Sequence, residues 1–201
     1  MVIIRCKLNH SRKAVMTQSV EQDRKQLLNL IIKEAYFREK IILSSGKESD
    51  FYVDARRITL KPEGAFLCAK IVLDMIKDAK VDAIGGPTLG ADPLVGALGV
   101  VSFQSGKPIN TFIIRKAPKP HGKQQQIEGP LIPDNGKVVL IDDVATTGKA
   151  FIESIDVLAK MNIKPIKAIC IVDRQEGAAE AVKAQGCELV SIFKIGEIHK
   201  K

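Results

Sequence analysis

Aromatic residues and cysteines are scarce in this chain of 201 residues. There is no tryptophan, and only two tyrosines and seven phenylalanines are present. Single-stranded nucleic acids stack on aromatic side chains, so this composition disfavours a general nucleic-acid surface. The four cysteines are widely spaced, without a C-x-x-C pair or a histidine at zinc-ligand spacing. They predict free, buried thiols in a reducing compartment rather than a metal site.

Long hydrophobic runs are also missing. The apolar stretches are short or are interrupted by glycine and proline, whereas a membrane-spanning helix needs about 20 apolar residues. The N-terminus has no continuous apolar segment of the kind found in secretory signals. We therefore expect a cytoplasmic protein without a membrane segment. Hydrophobic residues make up 45% and charged residues 27%, which suits a compact globular domain and excludes wholesale disorder.

The formal net charge is +8, and its distribution restricts the possible partners. Residues 1–20 and 115–123 and the last two lysines contain ten basic residues and no acid, so the remainder has a net charge of −2. A nucleic-acid-binding protein would carry a basic face on its body, which is not expected here. A basic loop at 115–123 instead suits a small anionic substrate.

Helical and strand patterns alternate along most of the chain. Helical periods begin at Glu21 and Pro62, and a strand at residues 83–84 precedes a glycine-rich loop at 85–92. Further apolar strands, separated by helical segments, are expected at residues 109–114, 138–141, 166–172 and 189–193. This alternation predicts an α/β fold with a central, mostly parallel sheet flanked by helices.

The predicted domain is a single unit of residues 21–195. It includes a small N-terminal hood at about residues 36–60, in which apolar runs at 41–43 and 51–53 flank a β-hairpin turn. Residues 1–20 form a basic extension, either a leader or a short ordered arm, and residues 196–201 form a basic tail.

The segment after the strand at 138–141 is the most informative. Asp142 and Asp143 follow this strand directly, and a turn rich in threonine and glycine then opens a helix. Carboxylates can accept hydrogen bonds from a sugar diol, and backbone N–H groups at a helix N-terminus can hold a phosphate. The segment lacks the spacing of a Walker loop or of a dinucleotide fingerprint. It predicts a site for a phosphorylated ribose at the carboxyl edge of the sheet.

This segment resembles the phosphoribosyl diphosphate (PRPP) signature of type I phosphoribosyltransferases. Residues 115–122 (RKAPKPHG) resemble the mobile catalytic loop of orotate phosphoribosyltransferases, and residues 173–177 (DRQEG) resemble a segment typical of the same family. Residues 85–92 resemble its pyrophosphate loop, and residues 51–56 resemble its hood segment. The resemblance covers about residues 21–195. Ser44 stands where many relatives have lysine, and residues 123–126 replace a glycine-rich continuation of the loop.

The resemblance implies transfer of a 5-phosphoribosyl group from PRPP to orotate, giving orotidine 5′-monophosphate and pyrophosphate. It implies catalytic roles for Lys116, Lys119 and His121, and orotate contacts from Thr146 and Arg174. It further implies Mg²⁺ held mainly by PRPP oxygens and water, and a homodimer with shared active sites. The residues implied to bind PRPP are Arg115, Lys116, Lys119, His121, Asp142, Asp143, Val144, Ala145, Thr146, Thr147, Gly148, Lys149 and Ala150.

Three other functions compete with this one. A phosphoribosyltransferase for a purine or for uracil would not need Arg174, because those bases have no carboxylate. A DNA-binding regulator with this fold would need a DNA-reading domain, for which residues 1–20 are too short. A purely structural protein leaves the three matched loops unexplained.

Overall fold

The computed structural model describes residues 19–42, 48–117 and 126–199. The first helix among the described residues, α1, spans Val20–Glu34 and begins in a capping box. The backbone N–H of Gln22 donates to the Ser19 hydroxyl at 3.3 Å, and the Ser19 N–H donates to the Gln22 side chain at 3.2 Å. Leu27 and Ile31 are fully buried, as the helical period predicts.

The hood consists of two small antiparallel pairs of strands. Strand β1 (Tyr36–Phe37) pairs with β4 (Tyr52–Val53), and β2 (Ile41–Ile42) pairs with β3 (Glu48–Ser49). A hairpin is therefore present, but its second strand ends before residue 51. The expected pairing of the runs at 41–43 and 51–53 is wrong.

The reason lies in the turn between β3 and β4. The Ser49 hydroxyl donates to the Phe51 carbonyl at 2.8 Å and accepts from the Phe51 N–H at 3.4 Å. This local turn redirects the chain, so that Tyr52 lies opposite Phe37 with their rings 6.5 Å apart. Aromatic cross-strand contacts then stabilise β1 against β4.

The remaining elements form a three-layer domain. The bounds of these elements are α2 Arg56–Thr59, α3 Pro62–Met75, β5 Ala83–Pro87, α4 Asp92–Gln104, β6 Asn110–Ile114, β7 Ile127–Glu128, β8 Val138–Ala145, α5 Lys149–Ala159, β9 Pro165–Asp173, α6 Ala178–Ala184, β10 Leu189–Lys194 and α7 Ile195–His199. The six-stranded sheet has the order β10-β9-β8-β5-β6-β7, and all neighbouring strands are parallel except the edge strand β7. The predicted α/β fold is confirmed.

Strand β8 shows why its sequence is continuously apolar. Val139 and Ile141 belong to a core cluster shared with α1, α3 and α4, whereas Val138 and Leu140 belong to a second cluster shared with α5 and α6. All four side chains are fully buried. Successive residues of a strand face opposite sides, so a strand covered on both faces carries no polar alternation.

The glycine-rich loop begins later than the sequence predicts. Gly85 and Gly86 lie inside β5, which ends at Pro87. A Cβ on Gly86 would lie only 1.9 Å from the carbonyl oxygen of Ile141 in β8. The two strands approach too closely at this point for any other side chain, which explains a glycine inside a central strand.

Helix α1 is tied to distant parts of the domain by charged contacts. The Asp23 carboxylate, only 1% exposed, lies 2.6 Å from Lys70 Nζ on α3. Arg24 donates to the carbonyl of Ile192 and pairs with Glu197 at 2.6 Å. These contacts place the beginning of the described chain against its C-terminal strand and helix.

Cys68, Cys170 and Cys187 are buried and free. Burial raises the pKa of the Cys68 thiol to about 12, so this group stays protonated at neutral pH.

Within the described ranges, no helix combines the length and apolarity that crossing a membrane requires. Residues 1–18 and 200–201 lie outside the described residues, and the division of the chain ends into extension and tail stays a prediction.

Candidate active site

Two adjacent carboxylates lie near the carboxyl end of the central strand β8. Asp142 is 7% exposed, and its Oδ1 accepts a hydrogen bond from the Asp143 N–H at 2.9 Å. Oδ1 of Asp143 in turn accepts from the Val144 N–H at 2.7 Å. These backbone bonds fix both side chains at the edge of the sheet where ligands bind in open α/β folds.

The protein environment disfavours two full charges on this pair. Burial raises the pKa of Asp142 well above its usual range, and the charge of Asp143 raises it further. Burial also raises the pKa of Asp143, although the Val144 N–H and the Arg56 guanidinium oppose this shift. The pair therefore favours a ligand that brings hydroxyl donors or positive charge.

The segment after β8 surrounds a cavity of about 530 Å³. It turns at Gly148, whose φ of 80° is left-handed, and enters α5 at Lys149. Free backbone N–H groups and the positive end of the helix dipole meet at such an N-terminus. The cavity is lined by Lys116, Asp142, Val144, Ala145, Thr146, Thr147, Gly148, Lys149, Ala150, Phe151 and Glu153. This geometry suits a phosphate group.

A second cavity, of about 420 Å³, shares five lining residues with the first: Lys116, Asp142, Val144, Thr146 and Ala150. It extends under the hood and reaches Arg174 at the end of β9. Its other lining residues are Tyr52, Val53, Asp54, Ala55, Arg56, Pro87, Thr88, Leu89, Gly90 and Asp143. Five separate segments of the sequence thus line two adjoining cavities.

Arg174 is 5% exposed and is held by three groups. Its Nε donates to Glu176 Oε1 at 2.8 Å, and its Nη2 donates to Ser49 Oγ at 3.2 Å. The guanidinium carbon lies 4.7 Å from the centre of the Phe51 ring. A buried cation that lines a cavity and keeps further N–H donors can recognise a carboxylate.

Gly90 brings the loop after β5 against the carboxylate pair. A Cβ at this position would lie 2.2 Å from Asp142 Oδ1 and 2.6 Å from Asp143 Oδ1. Any residue larger than glycine would displace either the loop or the carboxylates. The loop and the ribose-binding residues predicted from the sequence are therefore in direct contact.

Comparison with known proteins identifies this arrangement. The Phosphoribosyl transferase domain profile matches residues 55–195. The chain is 37% identical to an orotate phosphoribosyltransferase of Nostoc sp. (strain PCC 7120), over 92% of this chain and 89% of that protein. It is 41% identical to one from Aquifex aeolicus, over 78% and 85% of the two chains. This chain belongs to the orotate phosphoribosyltransferase family.

Solved structures of the family share the fold. The orotate phosphoribosyltransferase of Mycobacterium tuberculosis H37Rv in complex with Fe(III) dicitrate has a TM-score of 0.77 and 32% identity, and the match covers 88% of this chain and 98% of that one. The same enzyme in complex with PRPP has a TM-score of 0.73 and 30% identity, covering 88% and 99%.

Arg115, assigned to PRPP by the family resemblance, lies on neither of the cavities just described. Its guanidinium lies 3.4 Å from Glu128 on the edge strand β7. Its backbone N–H donates to the Gln126 carbonyl at 2.8 Å, which closes the base of the basic loop. Lys119, His121 and Ser44 lie outside the described residues, so their roles stay predictions.

The structure adds residues to the site that the sequence did not single out. Arg56 lines the second cavity and pairs with Asp54 at 3.1 Å, which contributes to a raised pKa of its guanidinium. Ser49 contacts Arg174 from the hood. The resemblance of residues 51–56 to the hood segment marked this region, but no local pattern distinguishes these side chains from surface polar residues.

Proposed function

We propose that this protein transfers the 5-phosphoribosyl group of PRPP to orotate through the site described above. The C1′–O bond to the diphosphate breaks and its electron pair leaves with pyrophosphate, while a ring nitrogen of orotate bonds to C1′ and gives up its proton to pyrophosphate or solvent. The observation that carries this proposal is a pair of adjoining cavities lined by a phosphate-type loop, paired carboxylates and a buried arginine.

Each part of the substrates has a chemically suitable counterpart. Asp142 and Asp143 accept hydrogen bonds from the ribose hydroxyls, and residues 144–150 hold the 5′-phosphate. Thr146 contacts orotate, and Arg174 pairs with its carboxylate. The position of Thr146 on both cavities supports its place between phosphate and base.

The basic loop acts on the leaving group. Breaking the C1′–O bond creates positive character on the ribose and negative charge on pyrophosphate, so catalysis depends on placing cations at the departing oxygens. Lys116 borders both cavities, which supports this role. Lys119 and His121, which the family resemblance implies, complete the set of groups that meet pyrophosphate.

The residues present fit a Mg²⁺ ion that arrives with the substrate. The Asp142 and Asp143 carboxylates are hard oxygen donors of the type that Mg²⁺ prefers. In the described part of the chain, no three histidine, cysteine or acidic side chains form a candidate metal cage. PRPP oxygens and water would therefore supply most ligands, with these two carboxylates nearby. When bound, the ion neutralises charge on the diphosphate.

Ultraviolet absorbance provides a direct test of the function. The protein is mixed with PRPP and Mg²⁺, and the loss of orotate is followed with uracil and hypoxanthine in parallel. We expect turnover of orotate alone. The Arg174→Gln variant should lose at least about 100-fold in kcat/KM for orotate, because the carboxylate then lacks its charged partner. Turnover of uracil or hypoxanthine but not of orotate would overturn the proposal.

A homodimer with shared sites is part of the proposal. Helix α4 supports it: Asp92 is its only charged residue, and Val100 and Phe103 on its outer face are 60% and 73% exposed. An apolar helix face of this kind is normally covered by a partner.

Mixing two inactive variants tests whether the sites are shared. If the loop of one subunit completes the site of the other, a mixture of Lys119→Ala and Arg174→Gln dimers regains about a quarter of wild-type activity after subunit exchange. No regain in dimers shown to have exchanged, or full activity in a monomer, would contradict shared sites.

A further inference from the structure

Arg174 is held partly by the hood, which lies far from it in sequence. Glu176 belongs to the same loop, but Ser49 is 125 positions earlier and reaches Arg174 Nη2 at 3.2 Å. Phe51 supplies a second contact from the same segment, with its ring centre 4.7 Å from the guanidinium carbon. Two residues of the hood turn therefore touch the residue that the proposed function assigns to the orotate carboxylate.

The Ser49 hydroxyl is oriented as an acceptor toward Arg174. A serine hydroxyl has one proton, and here it is donated to the Phe51 carbonyl at 2.8 Å. The oxygen lone pairs then accept from Arg174 Nη2 and from the Phe51 N–H. One hydroxyl thus joins the turn of the hood to the guanidinium.

The Phe51 ring is itself held from the other side. It lies 6.0 Å from the Tyr36 ring and 5.6 Å from the His199 ring on the C-terminal helix. The Tyr36 hydroxyl and His199 Nδ1 are 2.6 Å apart, which links these two neighbours. Phe51 therefore occupies a defined place between Arg174 and α7.

These contacts fix the Arg174 side chain before a ligand binds and leave some of its N–H donors available. A guanidinium has five N–H donors, and Glu176 and Ser49 take one each. The remaining donors can form the bidentate pair that a carboxylate prefers. Fixing a long side chain before binding removes the entropy cost of ordering it in the complex.

We propose that Ser49 and Phe51 are positioning residues, which hold the Arg174 guanidinium in the orientation required for a pyrimidine carboxylate. The hood then contributes to recognition of the base through Arg174. This inference rests on the proposed function, since it takes the role of Arg174 from there.

Steady-state kinetics of four variants test the proposal. Ser49→Ala and Phe51→Leu should raise the KM for orotate about 3- to 10-fold, the effect of losing one hydrogen bond or cation–π contact, with the KM for PRPP changed less than about 2-fold. Ser49→Thr keeps the hydroxyl and should restore the wild-type KM. Ser105→Ala is the matched control. It also removes a hydrogen bond from a serine hydroxyl to a backbone carbonyl, in this case the Ser102 carbonyl at 2.8 Å, but Ser105 lies at the far end of α4.

A double-mutant cycle separates positioning from a general effect on folding. If Ser49 acts through Arg174, then Ser49→Ala should change kcat/KM for orotate less than about 2-fold in the Arg174→Gln background. An equal loss in both backgrounds, or a rise in both KM values, would overturn the positioning role. If Arg174→Gln alone leaves orotate kinetics unchanged, the proposed role of Arg174 fails instead. Should Ser49→Ala not fold, Phe51→Leu in the same cycle decides the question.

Discussion

A methyl group at position 90 has no room beside the paired carboxylates. In Gly90→Ala the new Cβ would lie 2.2 Å from Asp142 Oδ1 and 2.6 Å from Asp143 Oδ1. A carbon and an oxygen approach to about 3.3 Å without strain, so one side must retreat by about 1 Å. The φ of Gly90 is outside the left-handed region. The substitution therefore adds a contact without backbone strain.

The two oxygens that the methyl group would displace are already engaged. They accept the N–H groups of Asp143 and Val144 at 2.9 and 2.7 Å. Moving them weakens both hydrogen bonds, at a cost of about 1–3 kcal/mol in the free energy of unfolding. For a chain of this size each 1 kcal/mol lowers Tm by about 2–4 °C, so the variant stays folded at 25 °C. A misplacement of about 1 Å at the reacting groups can lower the rate about 100-fold.

Loss of orotate absorbance gives kcat/KM for PRPP, and thermal unfolding gives Tm. We expect a fall of about 100-fold in kcat/KM for Gly90→Ala. Gly99→Ala is the matched control: its Cβ would lie 3.6 Å from Thr111, an ordinary contact, and a helix-interior alanine stabilises by about 0.5–1 kcal/mol. Wild-type kcat/KM in Gly90→Ala would refute the assignment of the carboxylate pair to the substrate.

Three further predictions concern charge. Burial raises the pKa of Asp142, so the folded protein disfavours the ionised form and loses stability as pH rises through that pKa. Asp142→Asn should therefore raise Tm more at pH 8 than at pH 4 while lowering kcat/KM for PRPP, and equal gains in Tm at both pH values would contradict this. Lys116→Ala should lower kcat at least about 10-fold with little change in Tm, because an exposed lysine supports little packing. Lys107 is also exposed, and Lys107→Ala should change neither kcat nor Tm, whereas unchanged turnover in Lys116→Ala would remove the role assigned to Lys116. Asp23→Ala breaks a buried ion pair and should lower the free energy of unfolding, measured in urea, by about 3 kcal/mol. Lys77→Ala breaks an exposed ion pair and should lower it by less than about 1 kcal/mol, so similar losses in the two variants would show that burial does not decide the difference.

The fold class and the position of the site follow from local features of the sequence. The run at 138–141 is apolar at every position, because β8 is covered on both faces. The loops after β8 and β9 carry polar groups, and the carboxyl ends of parallel strands meet at one edge. Strand periodicity therefore predicted that Asp142 lies at this edge, and the family resemblance added Arg174 from the loop after β9; both residues line one cavity.

The hood could not be predicted in the same way. Its strands have two residues each, too few for a periodic signal, and their pairing depends on a side-chain turn at Ser49. Gly85 and Gly86 also gave a misleading signal of a loop, because these glycines are required by close approach to Phe112 of β6 and to Ile141 of β8 rather than by a turn. The error in β5 therefore arises from contacts between segments that are distant in the chain, whereas the error in the hood arises from a local side-chain turn.

The layers of this protein and the chemistry at the ends of its strands follow from neighbouring residues and their periodicity. Folding in three dimensions adds the burial of the Asp142–Asp143 pair, the contact of Gly90 with both carboxylates and the support of Arg174 by Ser49 and Phe51. Those features depend on distances across the packed domain, which no local pattern of residues encodes.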